Sequence, residues 1–287
     1  MWTRGEGCED LARLLAEGEP VRIEGDLKNA CVAARAMLMV TGRLTSFDLV
    51  RSVVPTKLQL TEIGSVVAAV GSGPHSVLAA KVAARLAGRL GVEGSIVSVS
   101  PDEAQDAETE RALARITAEV PGVPHSVIRE PNARGLVNDL PSDAALVVGA
   151  PGGSWLQRQF FGPGHQLVVR ARAGAVVVRD VPHRCFQQAV PPSGLGSGLL
   201  VADARRLAAQ PVVAVVDNGA LVGIVRRSVL DAASGQVTVD SVMEDAVFLR
   251  TDDPIDAADE LFGFMDGCPI PVVDAAGNLF GSITPPE

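Results

Sequence analysis

Tyrosine is absent from this chain, and Phe and Trp bring the aromatic share to only 3%. Hydrophobic residues still make up 47% of 287 positions, so the cores must be assembled from Val, Leu, Ile and Ala. Such cores suit parallel sheets covered by helices. Lysine occurs only at Lys28, Lys57 and Lys81, and the formal net charge is -9. With no cluster of Lys or Arg to neutralise a phosphate backbone, nucleic acid is not an expected partner. Cys8, Cys31, Cys185 and Cys268 are far apart, without a CxxC pair and without His at ligand spacing. That pattern gives neither a disulfide framework nor a metal site, and it fits a reduced, cytoplasmic setting. The most apolar run, Ala30 to Val40, is interrupted by Arg35, and the first ten residues carry Glu6, Glu9 and Asp10. No signal peptide, membrane-spanning helix or membrane association is expected.

What is present divides into three regions. Residues 1–62 form a mostly helical extension of unassigned kind, with helices expected over Cys8 to Glu17 and Asp26 to Val40, and a short strand at Val21 to Glu24. A third helix opens at Thr45, with Ser46 as cap, and stops before Pro55. Residues 63–182 alternate aliphatic runs (Val66 to Val70, Ser95 to Val99, His125 to Arg129, Ala145 to Val148, Ala175 to Val178) with helical stretches. Strict alternation implies right-handed crossovers and a doubly wound, five-stranded parallel sheet of order 3-2-1-4-5. Residues 180–198 are rich in Pro and Gly and read as a linker. In 183–287 the stretch Val212 to Val225 returns as Ile270 to Ile283, two strands around an Asn-Gly or Ala-Gly turn, which marks tandem α+β modules.

After the fourth aliphatic run come Gly149-Ala-Pro-Gly152, nine further residues, and Gly162-Pro-Gly164. Glycines let backbone amides approach a phosphate, and a helix N-terminus adds oriented donors. Loops after the first and fourth strands flank the switch point where doubly wound sheets bind ligands. Over residues 64–180 this pattern resembles the universal stress protein family, whose signature is Gly-x2-Gly-x9-Gly followed by Ser or Thr. The resemblance implies that Gly149, Gly152, Gly162 and Gly164 hold the phosphates of ATP or AMP. Two positions depart from it: Gly71 stands where the family has the nucleoside-binding Asp, and Pro163 where it has the hydroxyl. Gly71, Ser72 and Gly73 in the first loop, and Arg158 in the spacer, are the residues placed to compensate. His75 in the same loop reads as a solvated side chain. Binding is therefore expected to be weak, with no metal and no catalytic residue.

The C-terminal repeat, over residues 186–287, resembles a degenerate CBS-domain pair. Its clearest half runs Val239-Asp-Ser-Val-Met243, Asp253-Pro-Ile-Asp-Ala-Ala258, Pro269 to Asp274 and Gly281-Ser-Ile-Thr284. In that family a Thr/Ser-x-x-Asp motif contacts phosphate and ribose, so the resemblance implies a ligand position at Thr284 and Glu287. The first half has Arg226-Arg-Ser-Val229 instead. Three readings follow: a regulatory, stress-related nucleotide sensor working as a homodimer or through a protein partner; a ligand-free scaffold; and an ATP-hydrolysing or phosphoryl-transfer enzyme. The last lacks a carboxylate at Gly71 and any Lys in either Gly-rich loop, both of which phosphoryl transfer calls for.

Overall fold

The computed structural model describes all residues except 45–46, 131–135, 137–139, 151–170 and 287. The chain divides into two compact units, Met1–Val181 and Pro182–Glu287.

In the first unit, helices α1 (Cys8–Leu15) and α2 (Leu27–Ala33) precede strands β1 (Leu38–Val40) and β2 (Arg51–Thr56). There follow β3 (Ser65–Val70), α3 (Ser76–Leu90), β4 (Glu93–Ser100), α4 (Asp106–Ala118), β5 (His125–Arg129), β6 (Ala144–Gly149) and β7 (Ala175–Arg179). They form one seven-stranded sheet of order β1-β2-β7-β6-β3-β4-β5. The five aliphatic runs are the five strands β3 to β7, all mutually parallel, and in chain order they lie 3-2-1-4-5. The central strands β3, β6 and β7 are largely buried on both faces, which is why they read as runs of Val, Ala and Leu, whereas the edge strand β5 is exposed to half-buried. Val66, Ala68 and Val70 pack with Leu78, Val82 and Leu86 of α3 and Leu11 of α1, while Val67 packs on the other face with Leu136, Leu146 and Val148.

The sheet is wider than the expected five strands, and the reason lies in residues 1–62. The stretch expected as one helix from Asp26 to Val40 stops at Ala33. Arg35 turns into the left-handed region (φ 48°), and the Ala36 N–H returns to the Cys31 carbonyl at 2.9 Å. Leu38, Met39 and Val40 are then free to extend. The helix expected from Thr45 to Pro55 is not formed either: Arg51–Thr56 is a strand, antiparallel to β7 and parallel to β1. Pro55 is tolerated because β1 pairs only as far as Val53, so the side on which an N–H is missing has no partner strand. Ser46, expected as a cap, lies outside the described residues, as do most of 133–140 and 164–172. Val21 to Glu24 contributes only an isolated bridge from Arg22 to Trp2.

The second unit holds α5 (Cys185–Gln188), β8 (Gly194–Gly196), α6 (Val201–Leu207), β9 (Val212–Asp217), β10 (Ala220–Arg226) and α7 (Arg227–Ala232). Its second half holds β11 (Leu249–Arg250), α8 (Ala257–Phe264), β12 (Ile270–Val273) and β13 (Leu279–Ile283). Each half is a three-stranded sheet with one parallel and one antiparallel pair, β8-β9-β10 and β11-β12-β13. The first hairpin turns at Asn218 and Gly219, both with positive φ (49° and 89°), as a type I′ turn requires.

The segment read as a linker is instead built into the core. Cys185, Phe186 and Ala189 are buried, and Phe186 alone contributes about 2–3 kcal/mol by leaving water. It packs on the other half: Val190 exchanges backbone hydrogen bonds with Ser282 of β13 (2.8 and 3.1 Å), and Phe186 donates to Thr251 (3.0 Å). Reciprocally, Glu244, which precedes the second half, exchanges bonds with Ile224 of β10 (2.8 and 2.9 Å). Each half therefore lays its entering segment on the last strand of its neighbour.

Candidate functional site

The order of β3 to β7 reverses between β3 and β6, two parallel neighbours whose carboxyl ends lie side by side. Chain connections run away from each other at such a point and leave a crevice. Gly71, Ser72 and Gly73 form the first loop, all exposed, and Gly149 is the last residue of β6. The Gly71 N–H donates to the Ser76 hydroxyl (3.1 Å), and the Ser76 N–H to the Gly73 carbonyl (3.3 Å), a side-chain turn that opens α3. The amides of Ser72 and Gly73 make no hydrogen bond among the described residues.

His75 departs from the solvated reading. Its Nδ1 accepts the N–H of Asp180 at 3.0 Å, which ties the first loop to the end of β7. Nδ1 therefore carries a lone pair, and burial, reinforced by nearby Arg179 against the opposing pull of Asp180, holds the imidazole below its ordinary pKa of 6.5. Gly149 packs directly beneath it: a Cβ on Gly149 would lie 3.0 Å from the His75 Cβ. Asp180 in turn receives Arg51 Nε from β2 at 2.6 Å, both side chains being about a quarter exposed (30% and 22%). Neither Arg51 nor Asp180 is recognisable here from sequence, because only the antiparallel pairing Ser52↔Arg179 brings β2 beside this end of β7.

Gly152, Arg158, Gly162 and Gly164 lie outside the described residues; of the expected nucleotide set, Gly71, Ser72 and Gly73 follow β3 and Gly149 ends the adjacent β6. A second polar cluster closes the neighbouring strand ends. Ser100 donates to Asp106 (2.6 Å), and Arg129 pairs with the same carboxylate, so first the Ser100 hydrogen bond and then Arg129 hold Asp106 below the ordinary carboxylate pKa.

In the second unit Thr284 is exposed just after β13, and Glu287 lies outside the described residues. The repeat places Arg226 where the other half has Thr284. Its guanidinium faces Glu244 at 3.5 Å and Asp266 at 4.0 Å. A cation thus occupies the position of the expected hydroxyl and is matched internally. The groove between the halves, walled by Val212, Ala214, Pro269, Pro271 and Ser282, encloses about 10 Å³, room for roughly one water. The thiols do not form a reactive set. Burial raises Cys31 to about 11 and Cys185 to about 12, the latter helped by Asp253. Among the described residues no three His, Cys, Asp or Glu side chains converge as metal ligands, and no helix is long and apolar enough to cross a membrane.

No protein-family model matches this chain, and no curated protein does. Solved structures similar to it include the soluble part of a magnesium transporter, at 16% identity over 35% of this chain with a TM-score of 0.33. This chain spans 44% of that structure's length. Others are the CBS domains of a transcriptional regulator from Streptococcus pneumoniae (22% identity, 34% of this chain, 89% of that one, TM-score 0.32) and CBSX2 in complex with AMP (24%, 34%, 86%, 0.31). Likenesses of this size assign neither ligand nor activity to this chain, and they add nothing to the universal-stress resemblance of residues 64–180.

Proposed function

We propose that this chain is a non-catalytic regulatory protein of the cytoplasm, related to the universal stress proteins and ending in a CBS-like pair, that binds ATP or AMP weakly and acts through a homodimer or a protein partner. The observation that carries this reading is that the Gly71–Gly73 loop and Gly149 follow adjacent strand ends, those of β3 and β6, where the strand order reverses. The N–H groups of Ser72 and Gly73, two exposed residues, have no partner among the described residues and are donors for an anion. For signalling, the ligand must bind two states unequally. The second unit supplies a candidate dimer surface: Leu207 and Phe264 end the matching helices α6 and α8 and are 65% and 80% exposed, apolar surface that a second copy would cover.

A scaffold without ligand is the second reading, and specific observations favour it. Gly71 spends its amide on Ser76, Gly149 is used to seat His75, and the groove of the second unit holds about one water. Equilibrium binding of ATP and AMP to the full chain at up to millimolar nucleotide separates the two. A sensor binds, and a scaffold does not. Phosphate release under the same conditions tests the phosphoryl-transfer reading, and turnover would overturn the non-catalytic one.

A further inference from the structure

β5 is the last strand in the order of the large sheet, and among the described residues no strand pairs with its outer side. The Ile96 N–H donates to the Pro124 carbonyl (2.9 Å) and the Glu130 N–H to the Ser100 carbonyl (3.2 Å), which fixes the phase of the ladder between β4 and β5. Parallel pairing alternates, so Ser126 and Ile128 bond to β4, and the N–H and C=O groups of His125, Val127 and Arg129 point out of the sheet. None of these three N–H groups has a partner among the described residues.

Beside that edge lies a groove of about 620 Å³ between α4 and β5, with apolar walls from Leu113, Ala114, Val123 and Val127. The side chains of 125, 127 and 129 share the face that carries α4: Arg129 pairs with Asp106, and Val127 packs on the core that holds Leu113 and Ile116. The Asp106–Arg129 pair also sets the level of helix against strand. Four residues along α4 advance about 6 Å and two residues back along β5 about 6.6 Å, so Glu110 stands level with Val127. Glu110 lines the groove, is exposed, and has no ion pair among the described residues.

We propose that β5 and this groove bind an extended segment of a partner protein as an added strand, with aliphatic side chains in the groove on either side of a Lys or Arg that meets Glu110. In such a mode the backbone bonds supply affinity and the alternate side chains supply selectivity. Charge selects the cation: Glu103 and Glu108, exposed and without an ion pair among the described residues, add to the negative field of Glu110. A second copy is the poorer occupant. Pairing antiparallel about Val127, it would bring two Glu110 carboxylates level across one axis, and like charges so placed repel.

Fluorescence anisotropy of the full chain with fluorescein-labelled Thr-Val-Thr-Lys-Thr-Val-Thr-amide tests this, since Val, Lys and Val share one face of that peptide in either chain direction. It should bind saturably below about 1 mM, and its counterpart with Glu in place of Lys should bind roughly threefold or more weaker. Glu110→Lys, a change at an exposed helix position, should reverse that order. His125→Pro removes an outward N–H but no bond to β4, and should weaken the Lys peptide roughly fivefold or more. Circular dichroism shows whether His125→Pro is folded, and if it is not, Glu110→Lys decides alone. In the parent, amide exchange followed by NMR should slow at His125, Val127 and Arg129 on binding and stay unchanged at Ser126 and Ile128. The proposal is overturned if the Lys peptide does not saturate by about 1 mM, or if Glu110→Lys leaves the order of the two peptides unchanged. It is equally overturned if the three outward N–H groups are already protected in the free chain, the result expected of a second copy or another segment of the chain on this edge.

Discussion

His75 joins the loop after β3 to the end of β7 through a hydrogen bond in which its ring nitrogen accepts. Replacing it by Phe removes that acceptor and orphans the Asp180 N–H, a cost of about 1 kcal/mol or somewhat more. The bond also sets a pH dependence. The folded-state pKa is lowered, so the unfolded chain takes the proton first; the contribution is complete above about pH 7 and is lost as pH falls through 6.5 toward the folded-state value. Urea unfolding should therefore show His75→Phe less stable than the parent at about pH 7.5, with the gap narrowing by about pH 5.5. An equal gap at both would contradict the assignment. Gly149 has a paired role. Gly149→Ala brings a Cβ to 3.0 Å from the His75 Cβ and should cost about 1–3 kcal/mol, but under about 0.5 kcal/mol when His75→Gly, which removes that Cβ, is also present. Independence of the two substitutions would mean that the contact is not what Gly149 serves.

At the scale of elements, β3, β6 and β7 were legible because burial on both faces writes them as aliphatic runs, while the more exposed edge strand β5 was legible from its place in the alternation. The opposite edge of the sheet was not. Arg51–Thr56 follows a plausible cap and holds only Val53 and Val54 as β-branched apolar residues before Pro55, so its strand character comes from pairing with β7, a contact far away in sequence. For the same reason Arg51 could not be assigned to the strand-end site. The repeat of the second unit was visible in its paired hairpins, whereas the exchange of entering segments was hidden behind Pro and Gly that resemble a linker. Gly281 makes that exchange sterically feasible: a Cβ there would lie 2.4 Å from the Val190 carbonyl oxygen. Gly281→Val should break both Val190–Ser282 hydrogen bonds and destabilise the second unit by about 2 kcal/mol or more. Hydrogen exchange on the full chain should then rise in peptides covering 185–195 and 279–284 while β3 to β7 stay protected. Unchanged exchange at Val190 would refute the role given to this glycine.

For the whole molecule, a unit built on a largely parallel sheet is followed by a repeated unit whose groove between the halves is nearly closed. Dimerisation through the second unit should depend on its two exposed apolar side chains. Leu207→Asp with Phe264→Asp should give a monomer at micromolar concentration in sedimentation, against a dimer for the parent; a parent already monomeric would rule out the proposed assembly. The central claim, nucleotide binding at the strand ends, is tested most directly by calorimetric titration of the full chain and of Gly152→Val with ATP and AMP. Losing the Asp and hydroxyl contacts of the universal-stress pattern removes two hydrogen bonds, about one to two decades in affinity. The account predicts dissociation constants in roughly the tens of micromolar or above for the parent, and no binding for Gly152→Val, whose branched side chain would fill the phosphate position. No heat from the parent at millimolar nucleotide, or equal binding by the variant, would contradict it.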